Sequence, residues 1–178
     1  SRTPANNNSR TVWTYSEWIK RGELGTDQLL LDAGTDGNNE SAIRLTTANK
    51  LDIYNYVAAS YGCRRVTTAV LRDPTAFFNL VVASNGTTSF KIWINGVEIT
   101  AFDTNSGTNG TNWFFNHSSY AMYMGKRFNN TNYFDGERAR GCFIGGSALT
   151  AADFGYFNTE INEWVSKSQS AIKALVDA

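Results

Sequence analysis

The sequence predicts an all-β chain folded as an antiparallel jelly-roll β-sandwich, and three observations carry that reading. Aromatic residues are abundant, with 11 Phe, 8 Tyr and 5 Trp in 178 residues, a composition that suits pleated, half-buried strands. Short apolar runs recur along the chain, each bounded by Gly, Asn or Asp clusters such as GTDGNN. A helical period appears only beyond Asn158. The length suits one domain with a full hydrophobic core.

The first element is TVWTYSEWIKR, which alternates strictly. Trp13, Tyr15, Glu17 and Ile19 share one face, and Val12, Thr14, Ser16 and Trp18 the other. Short strands follow at DQLLLDA, SAIRLTT, KLDIYNY and RRVTTAV. AFFNLVVAS and TSFKIWINGVEIT form the next pair, joined at Asn85-Gly86, with Asn95-Gly96 one strand later. Asn-Gly favours the type I′ hairpin turn because both central residues need positive φ. The stretch from Phe77 to Ile99 therefore predicts a meander with Phe90, Ile92 and Ile94 on a dry face and Lys91, Trp93 and Asn95 on a wet one. A polar loop spans 103–119, and YAMYMGKR and YFDGERARGCFIGG supply the last strands.

In TAADFG, Thr150 stands at an N-cap, Asp153 at N3, and Gly155 closes one helical turn. Ile161, Trp164, Val165, Ile172, Leu175 and Val176 then fall on one helical face, predicting an amphipathic helix capped by Asn158 or Thr159. The expected organisation is a sandwich over 1–157 and a helical extension over 158–178.

Sixteen basic and sixteen acidic residues cancel, so no global field draws the chain to nucleic acid or an anionic membrane. No apolar run approaches the roughly 20 residues of a membrane span, and SRTPANNNSR lacks the apolar core of a signal peptide, so the chain as given reads as soluble. Cys63 and Cys142 are read as buried thiols, with one disulfide as the alternative.

The order of motifs, SRTPA, WTYSEWIKRG, LLLDAGTDGNN, LRDPTAFFNLVV, KIWINGVEI, MGKR, NYFDG and FIGGSALTAADFG, resembles the concanavalin-A-like, laminin-G-like jelly-roll domains of bacteriophage structural proteins. The resemblance covers roughly residues 1 to 157. It implies that Asp135 and Gly136 form a turn, that Phe143 and Ile144 are core, and that the chain is a non-catalytic virion protein in a capsid decoration or fibre. Its partners would then be other virion proteins, its state an oligomer or an assembly on a particle, and its place the virion, assembled in the host cytoplasm, or the extracellular space. A carbohydrate-binding, lectin-like module is the alternative, and a glycoside hydrolase the least favoured reading. The E-x-D-x-x-E spacing of glucanases is absent, and no catalytic residue is assigned.

Candidate contacts follow. Trp113, Phe114 and Phe115 cannot all be expected to face the core from one loop, so with Asn116, His117 and Asp103 they are candidates for glycan or partner contact. Arg138 and Arg140, two apart on one strand, and Trp164 and Ile172 on the terminal helix are candidates for a partner interface. Glu17, on the apolar face of its strand, is expected to meet an arginine, because an unpaired buried carboxylate is costly. Asp36, Asn38 and Glu40 offer oxygens to calcium but fall short of the six to eight ligands it takes, so an Asx-rich turn is the preferred reading. Domains resembling this one generally carry a further strand before the position of SRTPA, paired with the closing strand. The edge around Arg138 to Ile144 is therefore expected to be covered by a strand or arm of a neighbouring subunit.

Overall fold

The structure, a computed structural model, describes residues 1–5 and 9–177. Eleven strands come first: β1 (Val12–Arg21), β2 (Gln28–Asp36), β3 (Asn39–Leu45), β4 (Lys50–Val57), β5 (Ser60–Val70), β6 (Phe78–Asn85), β7 (Ser89–Ile94), β8 (Val97–Glu98), β9 (Phe102–Gly107), β10 (Met122–Met124) and β11 (Gly136–Gly145). The helical turn α1 (Ala151–Phe154), the hairpin β12 (Gly155–Asn158) and β13 (Glu163–Ser166), and helix α2 (Gln169–Asp177) complete the chain. Two antiparallel sheets result, ordered β11-β1-β6-β7-β8 and β10-β2-β3-β4-β5-β9, with β12-β13 as a small third sheet.

Alternation decides what lies between the two large sheets. Trp13, Tyr15 and Ile19 from β1 meet Leu80 and Val82 from β6, Ile92 from β7, and Ile43 and Ile53 from β3 and β4 in one core. A register shift between Leu29 and Leu31 turns both Leu30 and Leu31 inward, which reads in sequence as the unbroken run LLL. Cys63 is a buried free thiol in the same core, and Cys142 is also free. Burial raises the Cys142 thiol to about 11, so it is an inert thiol at neutral pH.

On the predicted wet face of the meander Lys91 and Asn95 are exposed, but Trp93 is buried. Trp93, with Val81 and Ala83, lies under a second core built from Ile144, Ala151, Phe154 and Ile172, with Trp164 and Leu175 packed against it. The segment after Ser147 folds back over the outer face of the five-stranded sheet and supplies Ala151, Phe154 and Ile172 to that core. Its attachment is also polar: the Thr14 hydroxyl donates to Ser147 O at 2.8 Å and accepts from Leu149 N–H at 2.8 Å. The Trp164 indole donates to Asn79 Oδ1 at 3.2 Å. A Cβ on Gly96 would sit 2.4 Å from the Trp164 ring, so only glycine leaves room for it there.

Local turn chemistry separates the two Asn-Gly sites. Asn95 and Gly96 have φ of 48° and 77° and form the expected two-residue turn between β7 and β8. Asn85 instead ends β6, and the turn runs through Gly86 to Thr88, whose N–H bonds Asn85 O at 3.0 Å. The N-cap reading holds at α1, where the Asp153 carboxylate accepts the Thr150 N–H at 2.7 Å. The helix predicted from Asn158 or Thr159 is corrected: residues 155–166 form the hairpin, Ile161 is exposed in its turn, and the helix begins at Gln169. The alternation of Gly155, Tyr156, Phe157 and Asn158 against Glu163 to Ser166 gives a ladder that the helical period had masked.

Candidate functional site

The structure relocates most of the residues singled out from sequence. Trp113 and Phe115 are fully buried and Phe114 nearly so, which corrects the expectation that one ring of the triplet stands in solvent. Their loop crosses the mouth between the sheets. Trp113 stacks on Phe90 at 5.5 Å and on Phe115 at 5.8 Å, with Trp13 edge-on at 5.2 Å. On the other side, Phe114 N–H donates to the Ser41 hydroxyl, and Asn55 Nδ2 donates to Thr111 Oγ1. Asn116 is buried, with its amide on Ser9 O, and His117 Nδ1 accepts Ser119 N–H at 3.0 Å. Burial and nearby Arg10 lower the His117 pKa. Asp103 pairs with Lys50 and accepts from Thr68 Oγ1, so its charge is already met.

The partner-interface residues are likewise engaged within the chain. Arg138 grips Glu17 through Nε and Nη2, at 3.0 and 2.6 Å, and donates to Leu30 O at 2.8 Å, while Tyr15 OH donates to the same carboxylate. The expected arginine for Glu17 is thus Arg138. The register shift opposite Glu17, with Arg140 at φ 53°, places Arg140 on the other face, where it donates to Lys167 O at 2.5 Å. The expectation that Arg138 and Arg140 share a face toward a partner is therefore corrected. Trp164 and Ile172 pack onto the chain's own sheet in the second core.

A different constellation gathers on the outer face of the six-stranded sheet. The register pairs Glu40 with Tyr56, Ala42 with Tyr54 and Arg44 with Asp52, so the alternation in NESAIRL and KLDIYNY puts all of them on one side. Arg64 on β5 and Arg127 from the loop after β10 complete it. Asp52, fully buried, accepts from Arg44 at 3.1 and 2.9 Å and from Arg64 at 3.1 and 2.9 Å. Glu40 takes Arg127 at 2.8 and 2.6 Å and Tyr54 OH at 2.5 Å. Burial followed by the Glu40 charge holds the Tyr54 phenol well above its ordinary range.

Two tyrosines border this charge array. The Tyr56 and Tyr61 rings lie 4.6 Å apart, Arg64 sits 4.6 Å over Tyr61, and Tyr61 is 40% exposed. Together with Asp27, Glu40, Arg44 and Arg127 they line a hollow of about 240 Å³. Beneath it Asp32 is fully buried; one oxygen accepts Phe128 N–H at 2.6 Å and the other has no partner. Burial pushes its carboxyl up to about 7, despite the Phe128 hydrogen bond. Glu40, proposed from sequence as one calcium oxygen, faces Arg127, whereas Asp36 accepts Asn38 N–H at 2.8 Å within its own turn. The two do not converge, and among the described residues no three His, Cys, Asp or Glu side chains gather as a metal would need. Sequence reading did not select this site, although the even spacing of Glu40 and Arg44 in NESAIRL and of Lys50 and Asp52 in KLDIYNY was its visible signal. Arg64 and Arg127 come from remote segments.

Residues 1–140 match the concanavalin A-like lectin/glucanases superfamily model, and the chain belongs to that superfamily. No curated protein matches the sequence. Among solved structures, a putative carbohydrate binding protein from Bacteroides ovatus is 17% identical with a TM-score of 0.61, over 84% of this chain and 41% of that one. This chain therefore spans about two fifths of that protein. The Ruminococcus gnavus IT-sialidase CBM40 bound to α2,3-sialyllactose is 15% identical with a TM-score of 0.60, over 83% and 80% of the two chains. Domain 4 of AbnA, an extracellular arabinanase from Geobacillus stearothermophilus in complex with arabinotriose, is 16% identical with a TM-score of 0.54, over 82% and 64%. These likenesses establish the sandwich fold.

Proposed function

We propose that this member of the concanavalin A-like superfamily is a non-catalytic carbohydrate-binding module whose ligand rests against Tyr56 and Tyr61 on the six-stranded sheet. The observation that carries the reading is the hollow itself: two tyrosines beside donors and acceptors whose positions are fixed by their mutual pairing. Sugars are held by such a combination, an aromatic face under the ring's C–H groups with polar groups around its hydroxyls. The carbohydrate-binding descriptions of the Bacteroides and Ruminococcus structures support it. A virion-borne role, implied by the motif order, is compatible with this chemistry, since a surface glycan of the host would be its target.

Charge specifies the ligand class. Arg44, Arg64 and Arg127 are matched by Asp27, Asp52 and Glu40, which leaves no surplus cation for an acidic sugar. A neutral, hydroxyl-rich saccharide fits, with guanidinium N–H groups and carboxylate oxygens sharing its hydroxyls. Arrangement in arginine-locked pairs also argues against hydrolysis, because the carboxylate oxygens of Glu40 are taken by Arg127 and Tyr54 and those of Asp52 by Arg44 and Arg64. Screening on an array of neutral and sialylated glycans should give neutral binders, and calorimetry should show at least a tenfold loss in Tyr61→Ala and Arg127→Ala. Unchanged binding in both variants would move the ligand elsewhere. Exclusive binding of sialylated glycans would overturn the charge argument, and glycan turnover lost in Glu40→Gln would overturn the non-catalytic reading.

A further inference from the structure

Asp32 is buried on the outer face of the six-stranded sheet, next to the residues that line the hollow. The register shift between Leu29 and Leu31 sends Leu31 into the core, so Asp32 turns outward, opposite Ala42 on β3 and Tyr123 on β10. There the loop after β10 covers it. Gly125 N–H bonds Leu30 O and Leu29 N–H bonds Asn132 O, both at 3.0 Å, which fastens the two ends of that loop along β2. The carboxyl keeps one hydrogen bond, from Phe128 N–H at 2.6 Å, and its Oδ1 has no partner.

The residue before Phe128 is Arg127, which reaches the hollow. Its Nε and Nη2 both donate to Glu40 Oε2, while Tyr54 OH donates to Oε1. Two consecutive loop residues are thus held by two acids, Arg127 by Glu40 and Phe128 by Asp32. The groups that act on Asp32 are Glu40 from β3, Tyr54 from β4 and Arg127 from the loop. Arg44, further along β3, is taken by Asp52 and Asp27. One guanidinium therefore serves two acids. While Asp32 carries a proton, Glu40 and Arg127 balance; once it ionises, a second buried negative charge stands beside Glu40 and draws on Arg127.

We propose that Asp32 is a proton-linked positioning residue for the saccharide site: protonated, it leaves Arg127 to Glu40, and ionised, it draws Arg127 away from Glu40 and weakens the grip on a neutral saccharide. This deepens the carbohydrate-binding reading and rests on it. Burial raises the Asp32 carboxyl to about 7, against the pull of the Phe128 hydrogen bond, so the change falls near neutral pH. Affinity is full below that pH and declines as pH rises through it. By linkage, bound saccharide raises the pH at which Asp32 titrates.

The test begins with carboxyl 13C and arginine 15Nε NMR on the free 178-residue chain from about pH 5 to about pH 9. The Asp32 carboxyl and Arg127 Nε should titrate together with a midpoint of about 7. In Asp32→Asn the Arg127 signal should stay at its acid-limit position. Calorimetry follows, with the neutral glycan that binds most tightly on the array. Its binding should be at least about tenfold weaker at the alkaline end than at the acid end. Asp32→Asn, which keeps an oxygen for the Phe128 N–H, should hold the stronger affinity throughout. Thermal melting verifies that variant's fold, and the two titrations of the parent chain decide by themselves if it does not fold. An Arg127 signal that ignores the Asp32 titration would overturn the proposal, as would parent affinity that is level with pH. Affinity that still declines with pH in folded Asp32→Asn would overturn it in favour of another titrating group. Coupled titration without binding of any neutral glycan would refute the carbohydrate reading and leave the hold of Asp32 on Arg127 standing.

Discussion

The outer faces of the two large sheets began from the same alternating pattern and ended oppositely. On the five-stranded sheet that face carries Thr14, Ser16, Asn79, Val81, Ala83 and Trp93, neutral groups that are buried beneath the C-terminal segment. The six-stranded sheet presents Glu40, Arg44, Asp52, Tyr54, Arg64 and Tyr56, and its polar hollow opens to solvent. Neutral hydroxyl and amide groups lose little on burial once hydrogen-bonded, as Thr14 and Asn79 are, whereas charged groups lose far more. A face that keeps ion pairs partly hydrated cannot easily be covered by the chain's own tail. It is left available to a ligand that brings its own hydroxyls.

The largest test of that contrast removes residues 148–178, the whole covering segment. Exposing Trp93, Val81, Ala83 and Ile144 together should cost more than about 5 kcal/mol, the top of the range for a single core truncation, and calorimetric melting would show it. A truncated chain that melts near the intact one would mean the tail is a passenger.

Next come two changes in the main core. Glu17→Gln strands Arg138 without its carboxylate and should cost about 3–5 kcal/mol in denaturant unfolding, as broken buried pairs do. Trp113→Ala should cost about 3–5 kcal/mol by leaving a cavity among Trp13, Phe90 and Phe115. Each should leave glycan affinity intact in protein that remains folded. Direct loss of binding on Trp113→Ala in folded protein would return the site to the 103–119 loop.

A smaller effect belongs to Asp32. Its folded carboxyl titrates near 7 against 3.8 in the unfolded chain, so the folded state holds the extra proton. Stability is therefore full below about pH 4 for this group and falls as pH rises from there through 7, by a few kcal/mol at most. Asp32→Asn should flatten that slope, which urea titrations at pH 4 and pH 8 would measure. An unchanged slope would place the pH dependence elsewhere. The smallest stability change is expected for Tyr61→Ala, within about 1 kcal/mol for an exposed ring, beside its large loss of binding.

Much of the sandwich was legible in the sequence because strand period, turn chemistry and capping are local. Trp13 to Ile19 alternated as read, Asn95-Gly96 made its turn, and Asp153 capped α1. Even the arginine demanded by Glu17 followed from the cost of burying a lone charge, although its identity, Arg138, needed the fold. What only tertiary structure decided was which faces became interior. Trp93 looked solvated until the tail lay over it, and the aromatic triplet looked too crowded to be buried whole until its loop crossed between the sheets. The candidate site is the clearest case, since Arg44, Asp52, Arg64 and Arg127 converge through cross-strand register and a remote loop. Local pattern tells a residue which side of its strand it takes, and long-range packing alone settles what stands opposite.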